Sequence, residues 1–164
     1  MSARALFALI LAASAGLMAF GLYLQHAQNL EPCPLCILQR YAFVVTGVIA
    51  LVAAVHAPAR MGQAVYGVLV ALAAGIGAGI AGRQIWLQYN PPQVFDCGPD
   101  LGYMLDSFPL SQVLPKIFKG EGDCAEVVWQ FLGLSIPEWA LLWFFAFAAA
   151  GLYVALRRRP RAAA

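Results

Sequence analysis

Met61 to Gly82 reads MGQAVYGVLVALAAGIGAGIAG, a continuous run without one charged side chain. It exceeds the ~18 residues that a helix needs to cross a bilayer core of about 30 Å. In hydrocarbon the backbone must satisfy its own hydrogen bonds, so the run is a helix and not a loop or open strand. Three further runs share the property: Ala5 to Leu30, Tyr41 to Ala59 and Trp139 to Leu156. Together they predict an all-α membrane protein, a four-transmembrane-helix bundle that forms a single integral membrane domain over residues 1–164. Its spans are expected at about 5–24, 38–57, 63–84 and 139–157, with loops at about 25–37 and 85–138. Composition agrees, because only 11% of the chain is charged, against roughly 25% in soluble domains.

The first run also has features of a signal peptide, with Arg4 ahead of it and Ala13-Ser14-Ala15 resembling a cleavage site. Its apolar stretch continues through Leu24, well past that site, which favours an uncleaved helix. Basic residues set the orientation. Arg4, Arg60 and the cluster Arg157, Arg158, Arg159 and Arg161 fall on one side of a four-span chain, which the positive-inside rule makes cytoplasmic. The acidic residues, among them Glu31, Asp96, Asp123 and Glu138, fall on the other side. The net charge of +2 hides this segregation and gives no sign of a nucleic-acid partner; the expected partner of the surface is membrane lipid. Both termini are expected inside, and Cys33, Cys36, Cys97 and Cys124 outside or at the outer surface.

Outside a bacterial inner membrane lies an oxidising compartment where disulfides persist. Four cysteines allow three pairings, and the local one joins Cys33 to Cys36 and Cys97 to Cys124. As a structural staple, a bond across two intervening residues is poor, since cross-linking stabilises less as the closed loop shortens. Such pairs suit redox exchange better. The Cys97–Cys124 combination suits either a staple or exchange. A zinc site would want two compact pairs, whereas Cys97 and Cys124 stand far apart without a nearby histidine. His26 reads as an interfacial residue, and His56 falls at the opposite membrane face.

Pro32 and Pro34 suit a helix start, so Cys36 is expected in a first turn, where the helix dipole favours a thiolate. Arg40 lies one turn further on the same face. Its permanent charge would favour the thiolate and steady a negative oxygen on a bound acceptor; the alternative is snorkelling to lipid headgroups. In the long loop, Leu101, Met104, Leu105 and Phe108 recur at helical spacing, which predicts a short surface helix. Trp86, Trp129, Trp139 and Trp143 read as interfacial anchors. Ala71, Gly75 and Gly79, with Ala78 and Gly82, repeat every four residues and predict close helix packing in the third span.

The chain resembles the DsbB family of membrane disulfide oxidases along its whole length. The likeness is carried by Glu31-Pro-Cys-Pro-Leu-Cys-Ile-Leu-Gln-Arg40, the Cys97-Gly-Pro stretch, Gly122-Asp-Cys-Ala-Glu126 and the run from Trp129 to Trp139. Membership implies that Cys97 and Cys124 form the disulfide that reoxidises a DsbA-like periplasmic oxidant. Electrons would pass to Cys33–Cys36 and from Cys36 to a membrane quinone, ubiquinone or menaquinone, held near Arg40. A DsbA-type oxidant at about −120 mV lies above ordinary protein disulfides, so a thiol relay needs a stronger terminal acceptor. Gln39 replaces an acid present in some members, and Gln84 stands about where others carry a histidine. These departures leave a contact to the quinone from the third span without support. Two other functions compete: a structural or assembly subunit with stabilising loop disulfides, and a thiol reductase carrying electrons outward.

Overall fold

The computed structural model describes residues 2–27, 33–91, 127 and 129–157. Among these, helices α1 (Ala3–Ala27), α2 (Pro34–His56), α3 (Arg60–Tyr89) and α4 (Ile136–Leu156) are each long and apolar enough to cross a membrane. The expected surface helix around Leu101 to Phe108 lies outside the described residues. Apolar side chains such as Val55, Leu72, Ile76 and Leu152 point outward. An exterior as greasy as the interior is the pattern of a bundle solvated by lipid.

Local chemistry explains where each helix begins and ends. Cys33 is the N-cap of α2 in extended conformation, its sulfur accepts from the Cys36 N–H, and Pro34 follows in the first turn. Proline there loses no hydrogen bond, since the first helical N–H groups have no partner within the helix. Ala57 closes α2 in the left-handed region at φ 42°, and its N–H bonds back to Ala53 O. Pro58 follows and stops the helix. The short turn at 57–59 makes α2 and α3 antiparallel neighbours.

Helix α3 runs on to Tyr89, beyond the expected span end at 84, because nothing breaks it before Asn90-Pro91. A residue preceding proline avoids the helical region, and Asn90 sits at φ −130°, ψ 69°. Ahead of α4 the structure holds an element absent from the sequence reading. Strands β1 (Gln130–Phe131) and β2 (Leu134–Ser135) form an antiparallel hairpin with Gln130 opposite Ser135. Its two turn residues, Leu132 and Gly133, both have positive φ, 54° and 81°, as a tight hairpin requires. Glu138 then secures the start of α4, its carboxylate accepting from the Ser135 N–H at 2.6 Å.

The helices pack in sequence order, with α3 against α4 the most extensive contact and α1 barely touching α4. On α3 one buried line runs through Gly67, Val70, Ala74, Gly77, Ala81 and Gln84 in alternating steps of three and four, with Ala73, Ile80 and Leu87 buried beside it. Of the line expected to pack, Ala71 reaches the seam, its backbone N 3.1 Å from a Cβ built at Gly151, and Ala78 packs on the core, but no neighbour lies within 4 Å of a Cβ built at Gly75, Gly79 or Gly82. At 3.6 residues per turn a repeat of four drifts around the helix, whereas alternating steps of three and four hold one face. Close approach occurs instead between Gly67 and Gly151, where an added Cβ would lie 2.5 Å from the partner's carbonyl oxygen. Gly77 makes room for the ring of Phe144, which is fully buried and stacks on Phe43 with centroids 4.1 Å apart.

Candidate functional site

The gap left between α1 and α4 opens, at the end where α2 begins, into a cavity of about 610 Å³. Cys33 and Cys36 line it on one side. Their Sγ atoms lie 2.8 Å apart, within hydrogen-bond reach and beyond the ~2.05 Å of a covalent disulfide. Cys36 sits in the first turn of α2, as expected, with the Cys33 sulfur bonded to its N–H at 3.3 Å. The N-terminal turn thus holds both sulfurs next to the positive end of the helix dipole. A small cluster of Leu35, Ile80 and Leu87, with Cys33 and Leu38 against it, fixes the turn onto α3.

From α3, Gln84 reaches the same sulfurs. Its Nε2 donates to Cys36 Sγ at 3.1 Å and to Cys33 Sγ at 3.3 Å, and its Oε1 stands 3.6 Å from Cys36 Sγ. Gln39 Nε2 donates to that Oε1 at 2.6 Å. Both amides are buried, Gln84 to 3% exposure and Gln39 to 4%.

Arg40 lines the cavity with the cysteines, but its anchors are on α1: Nη1 donates to Gln25 Oε1 at 2.6 Å and Nη2 to the Gly21 carbonyl at 3.3 Å. Both acceptors are neutral, and among the described residues no carboxylate pairs with the guanidinium at the cavity wall. This is more than snorkelling, since two protein acceptors hold the side chain in place.

Aromatic rings complete the walls. Phe20 meets Trp129 edge to face at 5.9 Å, Trp129 stacks on Phe131 at 6.0 Å, and Trp139 donates to the Phe131 carbonyl at 3.1 Å. The hairpin therefore acts as a bracket that carries Trp129 and Phe131 to the cavity. Trp129, Trp139 and Trp143 all line it, a placement beyond their reading as anchors, while Trp86 is exposed.

Of the expected site residues, Cys33, Cys36 and Arg40 meet around one cavity, while Cys97 and Cys124 lie outside the described residues. The sequence reading missed Gln39 and Gln84 as contacts of the cysteines and noted them only as departures. A usable signal was present: a polar side chain at membrane depth is costly unless partnered, so Gln84 in an apolar helix marks a site.

Comparison with known proteins converges on one family. The family model described as "Disulfide bond formation protein DsbB" matches residues 3–154. Proteins named "Disulfide bond formation protein B" are similar over almost the whole chain. That of Azoarcus sp. is 54% identical over 96% of this chain and 95% of its own length. That of Aromatoleum aromaticum is 52% identical with the same coverage, and that of Marinobacter nauticus is 50% identical, again over 96% and 95%.

Proposed function

Because the chain belongs to the DsbB family of disulfide bond formation proteins, we propose that it oxidises a DsbA-like periplasmic thiol protein and passes the electrons to a membrane quinone. The observation that carries this reading is the pairing of Cys33 and Cys36 beside an aromatic-walled cavity that also holds Arg40. In the proposed sequence, a thiolate of the reduced partner attacks the Cys97–Cys124 disulfide. The resulting mixed disulfide resolves through the partner's second thiol, releasing oxidised partner and leaving Cys97 and Cys124 as thiols. These attack the Cys33–Cys36 disulfide in turn, so the outer bond re-forms as the inner one is reduced. Cys33 and Cys36 then close their disulfide as two electrons and two protons leave the pair.

The cavity suits a quinone headgroup by its donor set. A quinone supplies a two-electron, two-proton sink soluble in the bilayer. Phe20, Trp129, Trp139 and Trp143 offer flat apolar walls, and about 610 Å³ lies within the range of small-molecule sites. Arg40 would hold one carbonyl oxygen and stabilise negative charge on it, with orientation supplied by Gln25 and Gly21. The loose α1–α4 contact leaves the cavity open towards the lipid, the phase in which a quinone travels. The site faces the periplasm of a bacterial inner membrane in this reading, with both termini cytoplasmic. Segregated charge supports it: Arg60 and Arg157 are at the opposite end of the helices from Cys33.

The test is turnover by the purified full chain with reduced DsbA-like protein and a soluble quinone, followed by quinone absorbance. Cys36→Ser is expected to reduce turnover to background. Undiminished quinone reduction by that variant would rule out the relay, and net reduction of the periplasmic partner would favour an outward thiol reductase.

A further inference from the structure

Resting on that reading, we propose that Gln39 and Gln84 form a neutral amide relay that holds the Cys36 sulfur in its reactive state, Gln84 by direct contact and Gln39 as a positioning residue behind it. A glutamine amide has one acceptor oxygen and a two-proton donor nitrogen, so its function depends on which end faces the partner. Here the choice is made by a second side chain. Gln39 Nε2 donates to Gln84 Oε1 at 2.6 Å, which commits the other end, Nε2, to the sulfurs at 3.1 and 3.3 Å. With Gln39 and Gln84 at 4% and 3% exposure, water has little access to compete for either amide.

The arrangement serves both protonation states without a rotamer change. As a thiol, Cys36 donates towards Oε1 at 3.6 Å; as a thiolate, it accepts from Nε2 at 3.1 Å. The shorter contact is the one that stabilises the anion. A hydrogen bond to a charged group is stronger than one between neutral groups. A neutral donor gains this without placing a second cation beside Arg40, whose own anchors are on α1. Contact with Cys33 as well keeps both sulfurs on one donor, aligned for closing and reopening their bond.

Gln84→Glu separates this role from packing. A carboxylate has the same shape and still accepts from Gln39, but it offers no N–H to the sulfur. The measurement is the alkylation rate of Cys36 by iodoacetamide at pH 7 in the reduced full-length protein, read by mass of the modified peptide. Gln84→Glu is expected to slow it about tenfold or more, and Gln84→Leu by somewhat less. Gln39→Leu, which releases the Gln84 amide, is expected to slow it about threefold, and the double variant Gln39→Leu/Gln84→Glu no further than Gln84→Glu alone. Thermal unfolding midpoints identify any variant that has lost its fold. An unchanged rate in folded Gln84→Glu overturns the relay; additive losses in the double variant overturn the role of Gln39. Alkylation needs neither quinone nor thiol partner, so it decides this point even where turnover by the unaltered chain fails and the proposed electron path falls.

Discussion

The α3–α4 seam and the α1–α4 gap are opposite outcomes of helix packing within one bundle. At the seam, Gly67, Gly77 and Gly151 let backbones and the Phe144 ring approach to contact, and nothing is left to bind. At the gap, two helices with bulky facing side chains stay apart, and the space becomes a cavity holding the cysteines, Arg40 and a wall of rings. In lipid there is no hydrophobic drive between helices, so small residues decide where they close. Closure at one flank is what permits an opening at the other.

The largest expected effect breaks the seam. Gly77→Leu drives a side chain into Phe144, which is pinned by Phe43, and is expected to destabilise the bundle by about 3 kcal/mol, measured by equilibrium unfolding in mixed detergent. Next comes Arg40→Met at the gap, which leaves the seam intact. It is expected to raise the Michaelis constant for quinone about tenfold while that for the thiol partner stays the same. A smaller change, Leu17→Trp, fills the cavity from α1 and should raise the quinone constant about threefold with little change in unfolding midpoint. Smallest of all is Gly75→Leu, which meets open space and is expected to stay within about 0.5 kcal/mol of the original. Strong destabilisation by Gly75→Leu would mean that the four-residue repeat packs after all, and would undo the contrast between the two flanks.

How far the sequence alone could be read follows the same division. The spans were legible because hydropathy is a property of consecutive residues, and the α2 start because Pro32 and Pro34 are a local signal for helix entry. The seam was misplaced by sequence because small residues occur on several faces of α3, and only contact with α4 selects one. The hairpin before α4 leaves no pattern in the sequence because its strands are two residues each, too short for a period to register. Trp129 and Trp139 read as anchors for a related reason: an interfacial ring and a cavity wall have the same sequence signature.

By itself the sequence determined four apolar helices, the end of the bundle at which Cys33 and Cys36 lie, and the presence of Arg40 one turn below them. Each depends on neighbours along the chain: length without charge, a cap, a helical repeat. The tertiary structure alone decided that Gln84 meets Cys36 across 48 residues, that Arg40 turns towards α1, and that the cavity opens between α1 and α4. Those outcomes depend on how each helix is rotated about its axis and how closely it approaches its neighbour. Rotation and approach are settled by contacts between distant residues, for which one strand of sequence carries no local signal.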